Sequence, residues 1–210
     1  MRISFARLSL PYLVTLLFLA AALTTQVTAE DRLPEPELSD SGLHTQPWFH
    51  DGFLELSDDL SEAAESGKDL LILIEQPGCP YCREMHQVNL RIPEIVGTLK
   101  ENFLVVQLDM RGSREVVDMD GEAMEERALV RRWGVNFTPT MLFIPKEAAD
   151  KEGSAKDRSV MLMPGYFKPF HFHTMLHFVS SDAYDGGDFQ RYIDERAAKL
   201  RAEGKQVDIC

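Results

Sequence analysis

The stretch Leu70-Leu71-Ile72-Leu73-Ile74-Glu75-Gln76-Pro77-Gly78-Cys79-Pro80-Tyr81-Cys82-Arg83 decides the reading of the fold. It opens on a continuous apolar run, Leu70 to Ile74, of the length of a strand buried on both faces. Pro77 and Gly78 break that run, and Arg83 to Val88 has the character of a helix. A Cys-x-x-Cys pair therefore stands where a buried strand hands over to a helix, with Cys79 at the helix N-terminus. Unpaired backbone N–H groups and the helix dipole favour an anion there, and the thiolate is the reactive form of cysteine. Pro80, at the first helical position, costs no hydrogen bond and fixes the turn. Cys82 lies one turn further in, where it is placed to attack a mixed disulfide formed at Cys79.

Working outward, Leu56 to Ser66 reads as a helix stopped by Gly67, and Pro93 starts a helical piece through Ile95, Val96 and Leu99. Phe103 to Leu108 is a second buried strand, closed by Asp109. The polar, Asp-rich stretch Arg111 to Gly121 reads as a loop, and Glu122 to Trp133 as a helix ended by Gly134. Met141 to Ile144 is a third strand and Val160 to Met163 a fourth, with Lys146 to Arg158 as a charged hairpin tip between them. Phe170 to Val179 and Phe189 to Ala202 are helical. Strands alternating with helices, then an adjacent strand pair, imply an α/β fold with a central mixed β-sheet flanked by helices. The expected organisation is an irregular N-terminal arm over 30–50, one domain over 51–180, and a C-terminal helical extension over 181–210.

The chain has 210 residues, 44% hydrophobic and 27% charged, as a folded globular protein has. A formal net charge of −12 argues against a nucleic-acid partner unless a basic patch is present. Arg127 to Arg132 is no such patch, since Ala128, Leu129 and Val130 interleave it and Glu125 and Glu126 precede it. Residues 1–29 read as a secretory signal: Arg2 and Arg7, an apolar run from Leu8 to Leu23, then Val27-Thr28-Ala29 as a cleavage site after Ala29. Export to the periplasm is the expectation.

In an oxidising compartment the three cysteines, Cys79, Cys82 and Cys210, invite a disulfide reading. A bridge across two residues closes a tiny loop and removes little entropy from the unfolded chain. Such a bridge suits a redox switch better than a staple. A structural disulfide, or half of a zinc site with His86 as a nearby ligand, are the competing readings. Cys210, far from the pair in sequence, is expected to be a free thiol or to join two chains. His173 and His177, one helical turn apart and close to His171, have the spacing of two metal ligands, although an exposed histidine face on a covering helix is the plainer expectation. Met141, Met161 and Met163 fit core filling.

Cys79-Pro80-Tyr81-Cys82, followed by Thr138-Pro139-Thr140 before an apolar strand, resembles the thioredoxin superfamily. Trp133-Gly134-Val135 matches the family's aromatic–Gly–aliphatic step. The resemblance implies a thioredoxin-like fold and a cis Pro139 beside the dithiol. It also implies that the backbone of Thr138 pairs with substrate, and that Pro80, Tyr81 and Gly165 line the substrate groove. Glu75 to Cys82, Asp120-Gly121-Glu122, Thr138-Pro139-Thr140, Pro164-Gly165-Tyr166 and Phe189-Gln190-Arg191-Tyr192 together resemble the periplasmic thioredoxins of the sulfur-oxidation (Sox) system, the SoxW group. That narrower resemblance implies a reductase of protein disulfides that needs no cofactor beyond the Cys79–Cys82 couple. Its implied electron donor is a membrane thiol transporter of the CcdA or DsbD type, and its implied target a cysteine of the Sox sulfur-carrier protein.

The sequence also departs from ordinary thioredoxin. The family's buried aspartate position holds Leu73, and Glu75 lies two residues on, on the same face of the strand. Glu75 is the expected proton acceptor for Cys82, against the alternative of a water-exposed strand end. Other functions open to the same residues are a disulfide oxidase or isomerase of the same fold, and a metal carrier using the cysteine pair with histidines.

Overall fold

The computed structural model describes residues 32–205 and 207. The secretory signal read over residues 1–29, and Cys210, lie outside the described residues. The elements, in chain order, are β1 (Glu37–Leu38), β2 (His44–Thr45), α1 (Leu56–Glu65), β3 (Asp69–Glu75), α2 (Pro80–Gln87), α3 (Pro93–Asn102), β4 (Phe103–Asp109), β5 (Glu115–Val117), β6 (Ala123–Glu125), α4 (Glu126–Arg132), β7 (Thr140–Ile144), α5 (Ala155–Arg158), β8 (Met161–Pro164), α6 (Pro169–Ser180) and α7 (Phe189–Ala202). A 3-10 turn at Asn89–Arg91 joins α2 to α3. No helix among the described residues is long and apolar enough to cross a membrane.

The central sheet has the order β4-β3-β7-β8. β3 pairs parallel with β4 and antiparallel with β7, and β7 pairs antiparallel with β8. This is the mixed sheet expected from the element order. β3 is buried along its whole length, because it is central and covered on both sides. Its side chains divide by the period of two. Leu70, Ile72 and Ile74 enter one core with Leu56 and Leu60 of α1 and Leu129 of α4. Leu71 and Leu73 enter the other core with Met85 of α2, Ile95 and Leu99 of α3 and Phe172 and Leu176 of α6. Glu75 continues the second row, on the face of Leu73. At the C-terminal end, α7 packs on α6 through edge contacts of Phe178 with Phe189 and Tyr192, ring centroids 5.4 and 5.1 Å apart.

Three segments depart from the sequence reading. Arg111 to Gly121 is not all loop, because β5 forms there and pairs antiparallel with β6. Val116, fully buried, anchors that ribbon to the first core. The helix expected from Glu122 therefore starts only at Glu126, its first residues being spent on β6. The hairpin tip expected over Lys146 to Arg158 contains α5, whose start is a capping box: Ser154 Oγ accepts from the Asp157 amide, and the Asp157 carboxylate accepts from the Ser154 amide. The N-terminal arm is ordered as the hairpin β1–β2 and a docked strip. The Leu33 amide donates to Arg91 O at 2.9 Å, and the His50 amide to Val105 O at 2.8 Å.

Asp118 ties these additions to the core. Its buried carboxylate accepts from the amides of Met119 and Ala155, each at 2.8 Å, from Trp133 Nε1 at 3.0 Å and from Arg132 at 3.2 Å. One side chain thereby fastens the β5–β6 ribbon, α4 and α5, and it satisfies three buried donors that would otherwise be orphaned.

Candidate active site

The end of β3 delivers the chain to the site. Gly78 takes φ +73°, a left-handed conformation that glycine adopts without steric penalty. Cys79 then caps α2: its Sγ accepts the Cys82 amide at 3.1 Å. Cys79 and Cys82 are joined by a disulfide, with Cα atoms 5.3 Å apart. Pro80 occupies the first helical turn, as its missing N–H allows. Both cysteines are mostly covered, Cys79 being 7% exposed and Cys82 4%.

The loop before β7 faces this disulfide. The Thr138–Pro139 peptide bond is cis. Thr138 Oγ1 donates to Cys79 Sγ at 3.3 Å, and Thr138 O lies 3.5 Å from the same sulfur. Pro139 is buried, and its carbonyl accepts the Gly165 amide at 2.7 Å. Gly165 has φ +95°, and a Cβ there would meet nothing within 4 Å. Its glycine therefore answers a backbone need and leaves open space beside the site.

Two exposed aromatics rim the disulfide in sequence, Tyr81 at 63% and Phe137 at 68% exposure. The Tyr81 ring stacks on Tyr166, centroids 6.5 Å apart and planes inclined by 14°. Tyr166 is held from below. Its hydroxyl donates to Asn89 Oδ1 at 3.1 Å, and Asn89 Nδ2 donates to Phe167 O at 2.9 Å. Burial, with Glu84 nearby, pushes the Tyr166 phenol up. Asn89 is fully buried, so this tie fixes the Gly165 loop to the C-terminal end of the redox helix. Tyr166 enters the sequence reading only as part of the Pro164-Gly165-Tyr166 motif, with no role of its own, and Asn89 does not enter it, because a buried asparagine carries no local signal.

Glu75 is fully buried, and so is His86. The two meet at 2.9 Å, His86 Nε2 to Glu75 Oε2. Gln107 Nε2 donates to the same oxygen at 2.6 Å and to His44 O at 2.7 Å. Gln46, just after β2, lies 3.4 Å from the other imidazole nitrogen, His86 Nδ1. His44 and Phe49 pack their rings against His86, each at a centroid distance of 5.8 Å. Burial and the neighbouring His86 hold the His44 imidazole below its ordinary range. Glu75 Oε1 is buried with no hydrogen-bond partner among the described residues. The water-exposed strand end is thus not what the structure shows. His86, considered from sequence only as a metal ligand, is instead the partner of Glu75, and Cys82 and His86 lie one turn apart on the buried face of α2.

The histidine cluster sits elsewhere. On α6, His173 Nε2 is 3.1 Å from His177 Nε2 and 3.0 Å from Thr98 Oγ1 of α3. Both rings are half-buried, and burial lowers both, His173 to about 4 with a contribution from His177. They form an internal contact between helices rather than an exposed face. Among the described residues no group of three or more His, Cys, Asp or Glu side chains is placed to hold a metal ion.

A family profile for the thioredoxin-like domain matches residues 56–180. Comparison with curated proteins returns no match. Among solved structures, a thioredoxin-fold protein from Helicobacter pylori is 17% identical with a TM-score of 0.53, covering 70% of this chain and 97% of that one. A thioredoxin from Thermus thermophilus is 21% identical with a TM-score of 0.45, covering 60% and 83%. The oxidised DsbD C-terminal domain from Neisseria meningitidis is 18% identical with a TM-score of 0.41, covering 59% and 92%. The first of these shares the fold, and with the profile spanning more than half of the sequence the chain belongs to the thioredoxin-like domain family.

Proposed function

We propose that this protein is an exported thiol–disulfide oxidoreductase that reduces protein disulfides through Cys79 and Cys82. The observation that carries the reading is the Cys79–Cys82 disulfide at the start of α2, with the Cys79 sulfur facing the Cys82 amide and the Thr138 hydroxyl. In the reduced protein those donors and the helix dipole favour the Cys79 thiolate. The thiolate attacks a substrate disulfide, one substrate sulfur leaves as a thiolate that takes a proton from solvent, and a mixed disulfide remains on Cys79. Cys82 gives up its proton to Glu75 and attacks the Cys79 sulfur, closing the observed disulfide and releasing the second substrate thiol. Two electrons pass from the dithiol to the substrate, and no further cofactor takes part.

Thr138 offers its backbone to an extended substrate segment beside the sulfur, while Pro80, Tyr81, Pro139 and Gly165 shape the groove. The motifs shared with the sulfur-oxidation thioredoxins support a periplasmic place for the protein. They also support a membrane thiol transporter as electron donor and the Sox sulfur-carrier protein as target. Trapping tests all of this together. A Cys82→Ser protein lacks the resolving thiol, so its target is expected to stay disulfide-bonded to Cys79 in periplasmic extracts. Absence of insulin-disulfide reduction by the native protein, with no adduct on the Cys82→Ser protein, would sink the reading.

A further inference from the structure

The buried pair behind the disulfide has more parts than a single proton acceptor needs. Glu75 Oε2 receives two donors, His86 Nε2 and Gln107 Nε2, while Oε1 receives none. Gln46, from the arm, places an amide nitrogen at His86 Nδ1. A nitrogen that accepts from Gln46 at Nδ1 leaves the ring proton on Nε2, the tautomer that donates to Glu75. Four segments distant in sequence thus converge to saturate one carboxylate oxygen and leave the other bare.

We propose that His86 is a positioning residue for the resolving step: held in its Nε2–H tautomer by Gln46, it fixes Glu75 through Oε2 and leaves Oε1 free to take the proton of Cys82. This rests on the thiol–disulfide reading above. The step balances: the Cys82 S–H bond breaks and a Glu75 O–H bond forms. The Cys82 thiolate then bonds to the Cys79 sulfur, and the Cys79–substrate S–S bond breaks with its electron pair leaving on the substrate sulfur, which takes a proton from solvent. A hydrogen bond donated to a carboxylate favours its charged form. Loss of the His86 donor therefore shifts the availability of the base to higher pH. The titratable and charged groups around the pair are His44 from the arm, whose ring packs on His86 and which also feels the charge of Arg83, and Cys82, one turn before His86 on the buried face of α2.

The test times resolution in a Cys210→Ser background with Ellman's disulfide as substrate. The first thionitrobenzoate released reports attack by Cys79 and the second reports attack by Cys82. His86→Leu is expected to slow the second phase about tenfold at pH 7 and to displace its pH profile upward, leaving the first phase unchanged. His86→Gln retains an N–H donor and is expected to stay within about threefold of the native rate. Glu75→Gln is expected to be slow at every pH. A folded His86→Leu protein with the native second-phase profile overturns the proposal, as does a His86→Gln protein displaced as far as the leucine variant. Should His86→Leu not fold, Gln46→Leu carries the test: the same upward displacement supports the proposal and an unchanged profile overturns it. Native protein that shows no second phase at all refutes the thiol–disulfide reading itself, a result distinct from either.

Discussion

His173 makes the pH dependence of stability calculable. Its imidazole is held at about 4, chiefly by burial against α3, with His177 adding to the effect. The unfolded chain titrates near 6.5, so between pH 6.5 and about 4 the unfolded state binds a proton that the folded state refuses. Stability from this site is complete above pH 6.5 and falls as the pH drops toward 4. The interval corresponds to roughly 3 kcal/mol at full effect. His173 is half-buried, so solvent screening reduces the expected loss to about 1–2 kcal/mol. Other groups titrate in the same range. Asp59 and Asp69, both raised by burial, act in the opposite direction, and His177 acts in the same one. Comparison with His173→Gln, which cannot titrate, cancels them. Urea unfolding of the oxidised protein at pH 7 and pH 4.5 should show the native chain losing about 1–2 kcal/mol more than the variant. With a urea slope of about 2 kcal/mol/M, that is a midpoint difference of roughly half to one molar. Parallel stability–pH curves for the two proteins would refute the reasoning.

Asp118→Ala should destabilise the protein by about 3–5 kcal/mol, since it strands the buried Trp133 indole N–H and Ala155 amide; an unfolding free energy from urea titration within about 1 kcal/mol of native would contradict this. Gly165→Ala fits sterically but forces φ +95° on a residue with a Cβ. Calorimetry should find a loss of about 1–2 kcal/mol. Replacing Tyr81 or Phe137 by Ser removes an exposed ring next in sequence to Cys82 or to Thr138, the residue that touches Cys79. The KM for insulin reduction should rise severalfold while the rate with a small disulfide such as Ellman's stays near native, and equal loss on both substrates would assign these rings another role. Asn89→Ala frees Tyr166 and Phe167 from their shared anchor and should both cost about 2–3 kcal/mol and lower insulin turnover; an unaffected turnover would uncouple the anchor from the groove.

The readable parts of the fold were those with a strong local signal. β3 announces itself through five consecutive large aliphatics, and α7 runs over the span its helical pattern indicates, Phe189–Ala202. β5 and β6 do not: each is three residues long, with charged Glu115 and Glu125 facing one another at the open end, and contacts distant in sequence hold them, the burial of Val116 against the first core and the bonds of Asp118. α5 did carry a signal, Ser154 with Asp157 three residues on, which the charged surroundings obscured. The site divides the same way. Cys79, Cys82 and Thr138 are placed by strand–helix and loop–strand junctions that sequence marks with Gly, Pro and Cys. His86 reads locally as a stray histidine, because its partners Glu75, Gln46 and Gln107 are brought to it by β3, by the arm and by β4.

The arm also changes what local unfolding means for this protein. The hairpin and strip before residue 56 contribute no strand to the central sheet, yet Gln46, His44 and Phe49 roof the fully dehydrated Glu75–His86 pair. Opening of a peripheral segment costs far less than global unfolding. Opening of the arm would admit water to the pair without breaking the disulfide or any strand of the central sheet. A fragment cut at the family boundary would lack that roof and leave the carboxylate open to water. The reach of the chemistry is wider than the domain that carries its motif.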